Sequence, residues 1–199
     1  MMNKKVTAMV LASVLASPVM MAKISMAGGL EFEKGFCLPP PAPGIRCPAT
    51  ATKGEAEVEY SQKTKGTPPV TKTKLSAEVE FKVPPVGGVR GTLPADPDIT
   101  IDPINSPVTT PPTFGAAIIC NFVNPPTVMD IFNTATPPVL LATKVEYEGS
   151  LFESTDPTAV LPANTLDCGT AALPVLLKGS RVTVTIGAVD VTGFLKLDH

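Results

Sequence analysis

Leu75-Ser76-Ala77-Glu78-Val79-Glu80-Phe81-Lys82-Val83 alternates without a fault. Leu75, Ala77, Val79, Phe81 and Val83 share one parity, while Ser76, Glu78, Glu80 and Lys82 share the other. Successive side chains of a strand point to opposite faces, so this stretch is a strand with one face on a core and one in water. Glu55-Ala56-Glu57-Val58-Glu59-Tyr60 repeats the pattern. Between the two lies Gly66-Thr67-Pro68-Pro69-Val70, a turn or short loop, so residues 55–83 are expected to form a hairpin. The simplest register opposes Glu57 with Glu80 and Glu59 with Glu78, which is unfavourable across a ladder. Either the register shifts or another strand intervenes.

Working outward, the same period recurs in short bursts. Strand candidates are Ile99-Thr100-Ile101, Phe114 to Val123, Val128 to Phe132, Val139 to Phe152 and Leu173 to Leu177. Val182 to Ile186 and Val189 to Leu197, joined at Gly187-Ala188, form a terminal hairpin suited to closing one sheet. Proline clusters at Pro39–Pro41, Pro84-Pro85, Pro111-Pro112, Pro125-Pro126 and Pro137-Pro138 punctuate the chain. Each fixes φ and withholds a donor, which ends a helix or a central strand. The expectation is an all-β protein, an antiparallel β-sandwich with Pro-rich loops. Residues 84–113, rich in Pro, Gly, Asp and Thr, are expected to be a long loop between two strand sets. Thr52 to Tyr60 resembles Thr73 to Phe81, with a shorter echo at Thr143 to Tyr147. The period is not sustained, so these read as amphipathic strands drawn from a small alphabet, not as a repeat architecture.

The start of the chain has a different composition. Lys4-Lys5 precedes an uncharged, largely apolar run from Val6 to Met21, and Ser25-Met26-Ala27 supplies small residues at the first and third positions. That is the layout of a cleaved signal peptide over residues 1–27, ahead of a single domain at 28–199. The run is shorter than the ~20 apolar residues of a spanning helix. Export to the periplasm, the cell surface or the medium of a bacterium follows, with no membrane span after cleavage. The mature chain keeps thirteen basic and eighteen acidic residues, a net charge of −5, and of its methionines only Met129. A mildly acidic domain without a basic block lacks the footprint of a nucleic-acid binder.

An even number of cysteines in an exported chain reads as disulfides. Three pairings of Cys37, Cys47, Cys120 and Cys168 are possible. Cys37–Cys47 with Cys120–Cys168 is favoured, because the first pair brackets the short loop Leu38 to Arg46. Zinc is disfavoured, since no two cysteines stand two to four residues apart.

Catalytic chemistry has few footholds. The one histidine, His199, is the last residue, where chains fray. Nucleophile systems that need a positioned imidazole are therefore not expected. Val86-Gly87-Gly88-Val89-Arg90-Gly91 lacks the spacing of a phosphate loop. Glu57, Glu59, Glu78 and Glu80 belong to a solvated strand face, a poor setting for paired acids. In Asp96-Pro97-Asp98-Ile99-Thr100-Ile101-Asp102, an extended chain points Asp96, Asp98, Thr100 and Asp102 the same way. Calcium takes oxygen ligands of this kind, but the run lacks the glycine and distal glutamate of an EF-hand. A solvated acidic edge is the preferred reading.

No cofactor, metal or catalytic residue is assigned, and the cysteines are the only site residues. The leading expectation is a non-enzymatic structural or adhesive surface protein, a filament, coat or matrix subunit whose partner is another copy or another surface protein. Strand addition at an unpaired sheet edge would serve such a subunit. The alternatives are a monomeric binding module that uses 84–113 for recognition and, less favoured, a carboxylate-dependent secreted hydrolase. The secreted product is expected to begin at Gly28, and reduction is expected to add the mass of four hydrogens. N-terminal sequencing with intact mass under both conditions checks cleavage and bridging together.

Overall fold

The computed structural model describes residues 29–65, 70–106, 110–151, 162, 164–169 and 173–197. The segment 1–27, most of the turn at 66–70, residues 107–109 and His199 lie outside the described residues. Among the described residues the protein is all β. Its strands are β1 (Leu30–Leu38), β2 (Thr52–Lys65), β3 (Val70–Val83), β4 (Pro97–Asp102), β5 (Ile104–Ser106), β6 (Thr113–Phe114), β7 (Ile118–Phe122), β8 (Thr127–Phe132), β9 (Leu140–Leu151), β10 (Thr165–Asp167), β11 (Arg181–Ile186), β12 (Val189–Phe194) and β13 (Lys196–Leu197). Hydrogen bonding links all but β5 and β6 into one mixed sheet in the order β12-β11-β4-β7-β10-β9-β3-β2-β1-β13, with β8 flanking β9.

The expected sandwich is this sheet folded over on itself. The stretch β12-β11-β4-β7 presents Val191, Val182, Val184, Ile186, Ile99, Ile101 and Cys120 to the same core as Val145, Val79, Phe81, Val58 and Phe32 of β9-β3-β2-β1. The chain changes layer after β3, after β7, between β9 and β11, and after β12. After β7, Val123 donates its N–H to the carbonyl of Thr165, and Pro125-Pro126 then interrupts the ladder before β8 joins β9. After β12, Leu195 is buried and bonds Ser180 and Gly179 through its backbone, and β13 then pairs with β1. Pairing is antiparallel except where β10 runs parallel to β9, at Thr165–Ser150 and Leu166–Leu151.

Glycines set the close approaches. Gly54 of β2 lies opposite Phe36 of β1 and Phe81 of β3. A Cβ there would collide with the Phe36 ring. Without one, Phe36 crosses β2 and meets Phe81 edge-on at 6.0 Å between centroids. Phe81 in turn meets Tyr147 at 6.2 Å, and Tyr147 meets Phe122 of the opposite layer at 5.6 Å. Gly193 of β12 plays the same part for Phe32, whose ring occupies the place of its side chain.

Both favoured disulfides form. Cys37–Cys47 closes the loop after β1, and Cys120–Cys168 joins β7 to the residue that follows β10. The second spans 48 positions in sequence but ties spatial neighbours, since Asn121 already pairs with Asp167.

Two expectations need correction. The 84–113 stretch is not simply a loop between strand sets: it carries β4, an interior strand paired with β11 on one side and β7 on the other. The strand expected at Ile99-Thr100-Ile101 is the middle of β4, and Pro97 and Asp102 mark its ends. Leu173 to Leu177 is not a strand. Pro174 has no N–H for a ladder, and the Tyr60 hydroxyl donates to its carbonyl at 3.1 Å while accepting from the Leu176 N–H at 3.4 Å.

Phe81 is fully buried at the centre of the aromatic chain. Phe81→Ala is expected to cost about 3–5 kcal/mol, the range for an aromatic removed from a packed core. Urea unfolding followed by tyrosine fluorescence measures the loss.

Candidate functional site: the ionic outer face

The outer face of β1, β2, β3 and β9 holds a dense array of ionisable groups. Strand register stacks them in rows. Glu33 lies opposite Glu57, Glu57 opposite Glu78, and Glu78 opposite Glu148. A second row joins Glu55, Glu80 and Glu146, and a third pairs Glu31 with Glu59. Beside the second row run Lys53, Lys82 and Lys144. The hairpin expected at 55–83 is present, but shifted by two residues from its simplest register. That shift exchanges one set of opposed glutamates for another.

A shift of one residue would turn Val58, Tyr60, Leu75, Val79 and Phe81 out of the core, so burial fixes the face that the carboxylates take, and the two-residue shift preserves it. The three look-alike segments, 52–60, 73–81 and 143–147, fall in adjacent strands β2, β3 and β9. Like patterns side by side yield rows of like charge.

Repulsion is offset locally. Lys144 bridges Glu80 at 2.9 Å and Glu146 at 3.0 Å, and these bonds hold its ammonium well above the ordinary lysine range. Lys74 approaches Glu59 at 3.8 Å. At the centre of the array, partial desolvation raises the Glu78 carboxyl above its usual value, with further contributions from Glu146, Glu57 and Glu148. A shallow groove of about 200 Å³ runs here, bordered by Glu57, Glu59, Glu78 and Glu148. The glutamates singled out in the sequence, Glu57, Glu59, Glu78 and Glu80, are thus brought together on one open surface. Their extension into β1 and β9 was not legible, because strand neighbours remote in sequence are set by tertiary pairing.

The aspartates of the other candidate cluster are dispersed. Asp96 accepts a 2.5 Å hydrogen bond from the Tyr147 hydroxyl, and burial together with this bond raises the phenol pKa. Asp102 is paired with Arg181 at 2.7 Å, and the same guanidinium lies 4.8 Å from the centre of the Phe114 ring. Asp98 is exposed, opposite Thr185 and Asn121. No group of three or more His, Cys, Asp or Glu side chains among the described residues is placed to hold a metal ion.

At the margin of the ionic face the chemistry turns apolar. On the β8–β9 hairpin Met129, Ile131, Phe132, Val139 and Leu141 are all substantially exposed. Asp130, between the first two, is held on the opposite face of β8 by Arg90, with contacts of 3.1 and 2.7 Å, and by the Thr143 hydroxyl at 2.7 Å. Arg90 lowers the Asp130 pKa below the usual carboxylate value, and the bond from Thr143 adds to it. The sequence marked β8 as a strand but carried no signal for this exposure.

No protein-family model, curated protein or solved structure matches the chain.

The Glu78 shift has a definite sign. A carboxyl whose pKa is higher in the folded state binds its proton more tightly there, so its contribution to stability is complete below the ordinary glutamate value of 4.5 and is lost as pH rises through the folded value. Glu78→Gln removes that loss. The variant is expected to melt higher than the parent at pH 7, with the gap closing as pH falls to the ordinary glutamate value. Melting curves across that range, at low and high salt, check it.

Proposed function

We propose that the protein is an exported, non-enzymatic structural or adhesive component of a cell surface, a subunit that acts through contacts between proteins. The observation that carries this reading is the β8–β9 margin, where Met129, Ile131, Phe132, Val139 and Leu141 lie exposed in one region beside an ionic sheet face. Clustered exposed apolar residues with a polar surround mark protein contact surfaces more often than scattered ones do. The disulfides are compatible with an oxidising compartment outside the cytosol. The Lys4-Lys5 start and the apolar run to Met21 supply the route there. No helix among the described residues is long and apolar enough to cross a membrane.

A second reading, a monomeric binding module, is favoured by the turn at Val86–Val89. Its two valines, 68% and 66% exposed, stand at the tip of a loop that Arg90 anchors to β8. In that reading shortening the turn abolishes binding while the mass stays that of a monomer.

Electron microscopy and light scattering of the secreted mature protein separate the two. Assemblies far larger than one chain, persisting in mild detergent, are expected. A strictly monomeric protein across concentration overturns the structural reading.

A further inference from the structure

We infer that the outer edge of β8 pairs antiparallel with the same edge of a second copy, about a twofold axis at Met129. The inference rests on the reading of the protein as an assembling subunit, and it names the partner and the register.

β8 hydrogen-bonds β9 on one side, and among the described residues no strand pairs its other side. Such an edge offers a row of backbone donors and acceptors to any extended chain. Native edges are usually guarded by lysine, by proline within the strand or by an inward-pointing charge. Here the strand is Thr127-Val128-Met129-Asp130-Ile131-Phe132, with no lysine and no internal proline. Its one charge is already committed within its own chain, held by the Arg90 guanidinium and the Thr143 hydroxyl. Met129 and Ile131, 57% and 37% exposed, lie opposite Lys144 and Ala142 of β9 and share their face.

The choice of a second copy follows from how this strand matches itself. Opposed residues in a sheet share a face, so a twofold pairing must centre on a residue. Centred on Met129, it sets Met129 against Met129, Thr127 against Ile131 and Val128 against Asp130. Centred on Asp130, it would oppose two carboxylates directly. Centred on Thr127, it would run the Glu80–Glu146–Thr127 row of one copy straight into that of the other. The Met129 register avoids both, because Glu146 and Thr127 then continue into Ile131 and Ala142 of the second copy. It also brings Phe132 opposite Pro126, which has no N–H, so the ladder ends where the strand does.

Directly opposed residues of an antiparallel pair have Cα atoms about 4.5–5.5 Å apart, within disulfide reach. Met129→Cys in the mature, secreted protein is therefore expected to give a covalent dimer of doubled mass on non-reducing gels. Thr127→Cys places its thiols about 13 Å apart along the strands (~3.3 Å per residue) and is expected to stay uncross-linked. Ile131→Lys is expected to abolish the dimer in light scattering while melting at the temperature of the parent diluted to monomer. Cross-linking of Thr127→Cys as readily as Met129→Cys overturns the register. Large assemblies that ignore all three changes overturn the β8 pairing alone, while a monomer throughout overturns both this pairing and the structural reading.

Discussion

A sheet with one apolar face and, among the described residues, no helix to cover it has to bury that face against itself. This constraint organises the protein. The alternating strands β1, β2, β3 and β9 supply one apolar wall, and β12, β11, β4 and β7 supply the other. Transfer of apolar area from water drives the walls together, at roughly 25 cal/mol per Å² buried. At two of the passages between layers, Pro125-Pro126 and Leu195, the ladder gives way so that the chain can turn. The aromatic chain from Phe36 through Phe81 and Tyr147 to Phe122 then locks the layers at a fixed spacing, with Gly54 leaving space for it.

The same constraint explains the outer surface. Once the apolar parity of β2, β3 and β9 is committed to the core, the charged parity has no freedom of its own. Glu57, Glu78 and Glu148 share the outer face because their sequence neighbours Val58, Val79 and Tyr147 are committed to the core. Opposed carboxylates are tolerated because water and nearby lysines screen them, and each exposed pair is worth at most about 1 kcal/mol. An ionic face of this kind disfavours stacking on another sheet of like charge. The apolar margin at β8 lies outside that protection.

The disulfides act on separate parts of this frame. Cys120–Cys168 lies in the core beside β10, the short strand that carries hydrogen bonding from β7 to β9. Cys37–Cys47 secures the proline-rich loop after β1. One reinforces a junction between layers and the other shortens a loop.

Strict alternation over 75–83 and 55–60 and the proline punctuation were enough, by themselves, to indicate an all-β chain, and the even cysteine count to favour these two bridges among three pairings. Those properties are local, or follow from chain closure over a short loop. Tertiary structure alone decided which strands became neighbours. β4, legible as a short strand at Ile99-Thr100-Ile101, proves to be interior, and residues 173–177 lie outside the ladder because Tyr60, more than a hundred positions earlier, takes up their backbone groups. The carboxylate rows and the open edge of β8 belong to the same category. Both depend on pairings between residues far apart in sequence, and such pairings are selected by the shared core, which no single segment contains.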